Sequence, residues 1–180
     1  MLEFLGSRAP LSILEFFCKN PQKEFYSKEI GEELDLSKAT TIKWLKRLVE
    51  KGILTETSRG RKKIYRLRWA NPFARQMRVI LTLSKLIPTL ENLTNLRAAY
   101  LTGDSAKGTD SPDSPVELLI LNRGSEERVR RALDDVSSKI GRSVEARIMT
   151  PLEYADLASK KPALHEKLER EKIRLTFPRR

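Results

Sequence analysis

The chain has 180 residues, of which 35 are Lys or Arg and 24 are Asp or Glu, so its formal net charge is +11. Thirteen of the basic residues and only two of the acidic residues lie between Ser37 and Arg78. The rest of the chain therefore has a net charge of zero. This excludes a diffusely basic protein and predicts one cationic surface of the kind that nucleic-acid binding requires. Because Cys18 and His165 are the only residues of their types, a disulfide framework, a cysteine zinc cluster and a multi-histidine metal site are excluded.

The length predicts one or two small domains, and the patterns along the chain predict a domain at 1–70, a linking segment at 71–90 and a second domain at 91–180. No apolar run is long enough to cross a bilayer, and the first residues lack the basic leader of a secretory signal. We therefore expect a cytoplasmic protein without membrane contacts.

Three helices followed by a hairpin are predicted in the first seventy residues, from apolar residues at helical spacing and then from short alternating runs. The predicted helices span residues 8–19, 27–34 and 38–51, and the predicted strands span residues 53–57 and 62–68. Ser27 and Ser37 are the expected N-caps of the second and third helices. Glu29 falls one residue short of the reciprocal position for Ser27, so no capping box is expected there.

This order of elements resembles the winged helix-turn-helix of transcriptional regulators. The resemblance rests on SKEIGEEL at 27–34, LSKATTIKWLKRL at 36–48 and EKGIL at 50–54. It implies a positioning helix, a recognition helix that reads the major groove, and a wing that reaches phosphates or a minor groove. The side chains expected to contact double-stranded DNA are Ser37, Thr40, Lys43, Trp44, Lys46, Arg47, Arg59, Arg61, Lys62 and Lys63.

Two alternatives to this interpretation stay open. In the first alternative, the basic face of the third helix is a solvated surface that binds nothing. In the second, Trp44 packs into the core or against a partner and does not contact DNA. The coincidence of a basic helix with a basic wing favours DNA binding.

The linking segment is predicted to be a helix that begins at Asn71 and Pro72, an N-cap followed by a proline in the first turn. Apolar residues cover almost every side of it up to Ile87, so it needs partners on more than one face. It packs either between the two domains or against its own copy, and a homodimer on palindromic DNA is the prediction.

The remaining residues alternate between strand and helix patterns, which predicts a small α/β sheet and an α+β fold class for the whole chain. The predicted strands are 97–102, 116–121 and 143–149, and the predicted helices are 125–140, one that starts at 150, and 162–171. Residues 100–120 resemble the minimal nucleotidyltransferase family of the DNA polymerase beta type, through Gly103, Gly108, Ser114 and the strand that follows. The resemblance implies a phosphate-binding turn and carboxylates that hold two metal ions.

The positions that would carry this chemistry depart from the family pattern. Asp104 replaces the family serine after the first glycine, Pro115 the first metal-binding aspartate and Glu117 the second, while Glu145 corresponds to the third. Two-metal phosphoryl transfer needs carboxylate clamps, which proline does not supply, and Asp104 repels a polyphosphate. These departures predict a catalytically degenerate domain without a resident metal or cofactor, in which Glu117 and Glu145 hold at most one Mg²⁺.

The sequence therefore predicts a sequence-specific regulator that binds double-stranded DNA. Its degenerate nucleotidyltransferase-like domain would serve for dimerisation or for sensing a small molecule or nucleotide. An active nucleotidyltransferase and a nucleotide-binding, antitoxin-like protein are the alternatives.

Overall fold

A computed structural model of the protein describes residues 6–93 and 95–176. Over these residues the chain forms eight helices, seven strands and two sheets, which confirms the α+β class. The chain divides into two compact units, Met1–Arg78 and Val79–Arg180, and the division falls inside one helix, α4 (Pro72–Leu90). The first five and last four residues of the predicted domains, and Thr94, lie outside the described residues.

The N-terminal unit contains three helices and a three-stranded antiparallel sheet in the order β1-β3-β2. Its elements are α1 (Arg8–Lys19), β1 (Glu24–Tyr26), α2 (Ser27–Glu33), α3 (Lys38–Glu50), β2 (Leu54–Arg59), β3 (Lys62–Leu67) and the start of α4. The three predicted helices and the hairpin are present. Strand β1 was not predicted, and it pairs with β3 on the side away from β2.

Apolar side chains from all three helices and from the sheet form one core in this unit. The fully buried members include Ile13, Phe17, Ile30, Leu45 and Leu54. Aromatic rings pack edge-on beside them, since the ring centroids of Phe16 and Phe25 lie 4.5 Å apart. Burial of these residues fixes the outward faces of α3 and of the hairpin.

The two predicted helix caps have different outcomes. Ser37 is the N-cap of α3, and its hydroxyl accepts a hydrogen bond from the Thr40 backbone N–H at 3.2 Å, as predicted. The prediction for Ser27 was wrong, because α2 is capped by Tyr26 and Ser27 is its first helical residue. That shift by one places Glu29 at the reciprocal position, where its carboxylate accepts from the Tyr26 backbone N–H at 2.7 Å. The prediction that this helix has no capping box was therefore also wrong.

The C-terminal unit is a four-stranded sheet in the order β6-β5-β4-β7, in which β5 and β6 are parallel and β4 is antiparallel to both of its neighbours. Its elements are β4 (Leu96–Leu101), α5 (Gly103–Lys107), β5 (Val116–Asn122), α6 (Glu126–Ile140), β6 (Val144–Met149), α7 (Pro151–Lys160), α8 (Pro162–Arg170) and β7 (Ile173–Arg174). The three predicted strands are present, while α5 and β7 were not predicted.

Side chains alternate between two cores across this sheet, as the period of a strand requires. Leu118 and Ile120 belong to a core that includes Val129 and Leu133 of α6 and residues of α4. On the other face, Leu119 packs in a smaller core with residues of α7 and α8. Glu117 and the odd-numbered residues of β5 therefore share the face that α7 and α8 partly cover.

Helix α4 begins as predicted, with the Asn71 side-chain carbonyl accepting from the backbone N–H of Phe73 at 2.8 Å and of Ala74 at 3.2 Å. Its apolar residues are not all buried, since Ile80 is 51% exposed. No helix in the described part of the chain is both long and apolar enough to span a membrane.

Candidate nucleic-acid interface

Helix α3 presents one buried and one charged face, as its sequence predicts. Thr41, Leu45 and Leu48 are fully buried in the N-terminal core. Residues three and four positions apart share a helix face, so the basic side chains fall on the opposite side. Lys43, Lys46 and Arg47 are exposed there, and the Ser37 hydroxyl donates to Thr40 Oγ1 at 2.9 Å at the start of the helix.

Trp44 lies at the edge of the core rather than free on the charged face. It is partly buried and packs against the N-terminal core. Lys43 Nζ lies 5.5 Å and Arg47 Cζ 5.1 Å from the centroid of its ring, so the indole ring contacts both cations. The partial core burial that was left open for Trp44 is what the structure shows, and the ring also positions the two charged side chains.

The wing is the β2–β3 hairpin, closed by a two-residue turn at Gly60 and Arg61. Gly60 has φ +62°, a left-handed conformation that glycine adopts without strain. Arg61 lies at the tip and is exposed. Lys62 lies beside it, with Nζ 5.5 Å from the Tyr26 ring centroid.

Two wing cations form ion pairs within the N-terminal unit. Arg59 Nη2 lies 3.6 Å from Glu24 Oε2, which ties the wing to β1. Lys63 Nζ lies 2.6 Å from Glu56 Oε1, which ties the two wing strands together. The hydrogen bond from Lys63 holds the pKa of the Glu56 carboxyl below its ordinary value, against an opposing effect of burial and with a further hydrogen bond from Tyr65.

Helix α3 and the wing border a common cleft of about 740 Å³. Lys46, Arg61, Lys62 and Lys63 are the predicted site residues that line it. The other six predicted site residues do not line the cleft. Five of them belong to α3 or its cap and one to β2: Ser37, Thr40, Lys43, Trp44 and Arg47, and Arg59. The cleft therefore joins the basic wing to one basic residue of α3 within a single compact unit.

The first turn of α2 also borders this cleft, and its residues were not among those predicted to contact DNA. Tyr26, Ser27 and Lys28 line it, together with the acids Glu29 and Glu32 of the same helix. The available signal was their position at the start of the positioning helix, and the pairing of β1 with β3 brings this start to the wing.

A second cleft, of about 570 Å³, lies in the C-terminal unit and brings together most of the residues of the degenerate motif. Gly103, Pro115, Glu117 and Glu145 line it, whereas Asp104 is exposed on α5 and is absent from the described lining. Glu117 and Glu145 are register partners on the parallel strands β5 and β6, so their side chains lie on the same face.

The residues of the second cleft do not fit a two-metal centre. Pro115 offers no ligand, and the described residues contain no group of three or more His, Cys, Asp or Glu side chains placed to hold a metal ion. A third carboxylate at the rim, Glu171, forms an ion pair with Lys107 at 2.9 Å. That pair lowers the pKa of Glu171, so its charge is already compensated.

The search of curated proteins finds no match to this chain. Three solved structures match part of this chain at low sequence identity. A possible transcriptional regulator from Methanosarcina mazei Go1 is 20% identical, with 52% of this chain and 85% of that chain covered and a TM-score of 0.37. A toxin-antitoxin with AMP-PNP is 18% identical, with 54% and 74% covered and a TM-score of 0.40. A mutant of the toxin-antitoxin MntA-HpeT is 19% identical, with 54% and 74% covered and a TM-score of 0.41.

A comparison with protein families matches residues 21–94 to the penicillinase repressor family. The matched segment contains β1, α2, α3, both strands of the wing and α4. Of these elements, α2, α3 and the wing are among those on which the resemblance to a winged helix-turn-helix was based. Residues 21–94 are therefore similar to the penicillinase repressor family, and the N-terminal part of the chain has the helices and the wing of a winged helix-turn-helix domain.

Proposed function

We propose that the protein is a transcriptional regulator that binds specific double-stranded DNA sites through α3 and the wing. The observation that supports this most is the common cleft, because Lys46 of α3 and three cations of the wing border one space within one domain. A duplex presents two rows of phosphates beside its major groove, so a helix in the groove needs cations on both sides of it. The family match over residues 21–94 supports the same function.

In this proposal the two basic side chains beside Trp44 enter the major groove. Lys43 and Arg47 are four residues apart and therefore reach the same stretch of base edges or phosphates. Because the Trp44 ring contacts both of them, their side chains lose less freedom on binding than two free cations would. Arg61 and Lys62 at the wing tip would contact phosphates or the adjacent minor groove.

A titration of the full chain with duplex DNA at several salt concentrations tests this proposal. The affinity should fall steeply with salt, and Lys43→Ala and Arg47→Ala should each weaken binding by about 1–3 kcal/mol. Arg128→Ala is the matched control, because Arg128 is an exposed arginine on α6 and its loss removes the same charge. Absence of duplex binding at low salt, or equal losses in all three variants, would overturn the proposal.

We further propose that the regulator is a homodimer. Symmetric dimers read two half-sites about one helical turn apart, and Ile80 on α4 is a large apolar side chain that is half exposed. Sedimentation of the full chain is expected to give twice the chain mass, and Ile80→Lys should shift it toward the monomer. A monomer at the concentrations that bind DNA would contradict this.

The proposed role of the C-terminal unit is dimerisation or the sensing of a small molecule or nucleotide. An active transferase is the second candidate, and the observation in its favour is that Gly103, Glu117 and Glu145 line one cleft. Incubation with labelled ATP and Mg²⁺ or Mn²⁺ separates the two. We expect no transfer of label, whereas transfer that Glu117→Ala abolishes would establish the enzyme.

An antitoxin-like, nucleotide-binding protein is the remaining alternative. Calorimetry with nucleotides and pull-down of a partner protein distinguish it from a regulator that acts on DNA alone. Nucleotide binding that leaves the affinity for DNA unchanged would favour this alternative over an effector role.

A further inference from the structure

Glu56 is one of two acids in the strongly basic stretch Ser37–Arg78, and it lies inside the wing. An isolated carboxylate among DNA-binding cations would repel phosphates and weaken binding. Its surroundings in the structure suggest the opposite role. We propose that Glu56 is a positioning residue for DNA binding, which fixes Lys63 at the cleft between α3 and the wing; this rests on the proposed function.

The contacts of Glu56 support a positioning role. Its carboxylate accepts a hydrogen bond from Lys63 Nζ at 2.6 Å and another from the Tyr65 hydroxyl. Tyr65 is 2% exposed and is a member of the N-terminal core, so this second contact anchors the carboxylate to a rigid part of the domain. The chain of contacts runs from the core through Tyr65 and Glu56 to Lys63.

The register of the wing explains why these side chains meet. Glu56 is opposite Tyr65, and Ser58 is opposite Lys63, in the antiparallel pairing of β2 with β3. Side chains of opposed residues lie on the same face of the hairpin, so Lys63 is the diagonal neighbour of Glu56. Lys46 of α3 lines the same cleft as Lys63 and Tyr65, so this face of the wing lies toward α3.

Lys63 and Glu56 differ in how exposed their side chains are. The Lys63 side chain is 51% exposed and lines the cleft, whereas the Glu56 side chain is 23% exposed and lies outside the described lining. Glu56 thus accepts a hydrogen bond from one ammonium proton of Lys63, and the remaining ammonium protons are available to a ligand in the cleft. Fixing a lysine before binding reduces the entropy lost when it contacts a phosphate.

The two possible roles of Glu56 predict opposite signs for one substitution. If the carboxylate merely repels DNA, then Glu56→Ala adds one unit of net positive charge and tightens binding. If it positions Lys63, then the same substitution weakens binding, because the lysine is no longer held at the cleft. We expect the dissociation constant for a mixed-sequence duplex to rise about fivefold and the magnitude of the salt slope to fall by about 1.

Three further variants of the full chain make the measurement specific. Glu50→Ala makes the same change of charge at an exposed position at the end of α3 and should bind as tightly as the original protein or slightly more tightly. Glu56→Gln keeps an acceptor oxygen for Lys63 and should restore most of the lost affinity. In a Lys63→Met background, Glu56→Ala should cause no further loss, which a general structural defect of the wing would not reproduce.

The experiment is a titration of a mixed-sequence duplex with each variant over a range of salt, together with a thermal unfolding curve. If Glu56→Ala does not fold, Glu56→Gln is compared with Glu50→Gln. Glu56→Gln should then weaken DNA binding relative to Glu50→Gln, by a smaller factor than is expected for Glu56→Ala. The inference is overturned if the original protein binds the duplex and removal of Glu56 leaves binding equal or tighter. Failure of the original protein to bind the duplex overturns the proposed function instead.

Discussion

Asp110 and Arg142 form a buried ion pair, in which Nη1 of Arg142 lies 2.5 Å from Oδ2 of Asp110. Their side chains are 5% and 17% exposed, respectively. The same guanidinium donates to the Ser114 carbonyl oxygen, at 2.6 Å from Nη2 and 3.1 Å from Nε. These contacts fix the segment that leads into β5 and therefore the position of Pro115 at the second cleft.

Arg142→Ala should destabilise the C-terminal unit strongly. Removing one member of a buried pair leaves the other charge poorly compensated, which costs about 3–5 kcal/mol. Urea unfolding measures this loss. Arg130→Ala is the control, because Arg130 pairs with Glu126 on the exposed face of α6 and its loss should cost at most about 0.5 kcal/mol. Equal small losses in both variants would contradict the structural role of the buried pair.

Gly103→Ala should destabilise the protein through the backbone conformation of Gly103. Gly103 has φ +61°, and a Cβ atom there would lie 2.6 Å from Glu117 Oε2. The conformation alone costs about 1–2 kcal/mol. Gly60→Ala isolates that cost, because Gly60 has φ +62° and open space around it.

The Glu117 carboxylate is the far end of an exposed, flexible side chain and can move away from the new methyl group. Gly103→Ala should therefore cost about as much as Gly60→Ala in urea unfolding, and Glu117→Ala in the Gly103→Ala background should change that cost little. A much larger cost at Gly103 that Glu117→Ala removes would show that the Glu117 carboxylate is held in place against Gly103.

The corrected cap of α2 predicts a difference between two serines. Ser37→Ala removes the side-chain acceptor for the Thr40 N–H and should cost about 1 kcal/mol. Ser27→Ala should cost less than about 0.5 kcal/mol, because Ser27 is the first helical residue and Tyr26 is the cap. The free energy of unfolding without DNA checks both values. A larger loss at Ser27 than at Ser37 would restore Ser27 as the cap.

Cys18 predicts a pH dependence of stability at alkaline pH. Burial raises the pKa of its thiol to about 12, whereas a cysteine thiol in an unfolded chain has a pKa of about 8.5. Between these values the unfolded chain loses a proton that the folded chain keeps. The contribution of the protonated Cys18 thiol to the free energy of unfolding is therefore complete below about pH 8.5. It decreases by about 1.4 kcal/mol per pH unit as the pH rises toward 12.

Urea unfolding of the original protein and of Cys18→Ala at several pH values measures this effect. The stability of the original protein should fall more steeply than that of the variant above about pH 9. Parallel pH profiles for the two proteins would mean that the Cys18 thiol is not buried in the folded state.

Much of the fold could be predicted because its longer elements have clear periodicities. The buried stripe of α3 is visible in Thr41, Leu45 and Leu48, and the turn of the wing in Gly60. Strand β1 has three residues and β7 has two, so neither is long enough to show alternation. Their positions depend on pairing with distant strands, which the local sequence does not contain.

The candidate sites show the same division between local and distant information. The basic residues of α3 and the wing were identified from composition, and Glu117 with Glu145 from a motif. The ion pair of Lys63 with Glu56 depends on strand register, and that of Asp110 with Arg142 joins residues far apart in the chain. A one-residue change of register would have moved Lys63 to the other face of the hairpin.

Selection of bound duplexes from a random pool by the full chain tests the central claim most directly, that α3 and the wing bind specific DNA. The proposal predicts one enriched motif with two inverted half-sites about 10 base pairs apart, and Lys43→Ala with Arg47→Ala should abolish its enrichment. A pool that shows no enriched sequence after repeated rounds, or an enrichment that the double substitution leaves unchanged, would contradict it.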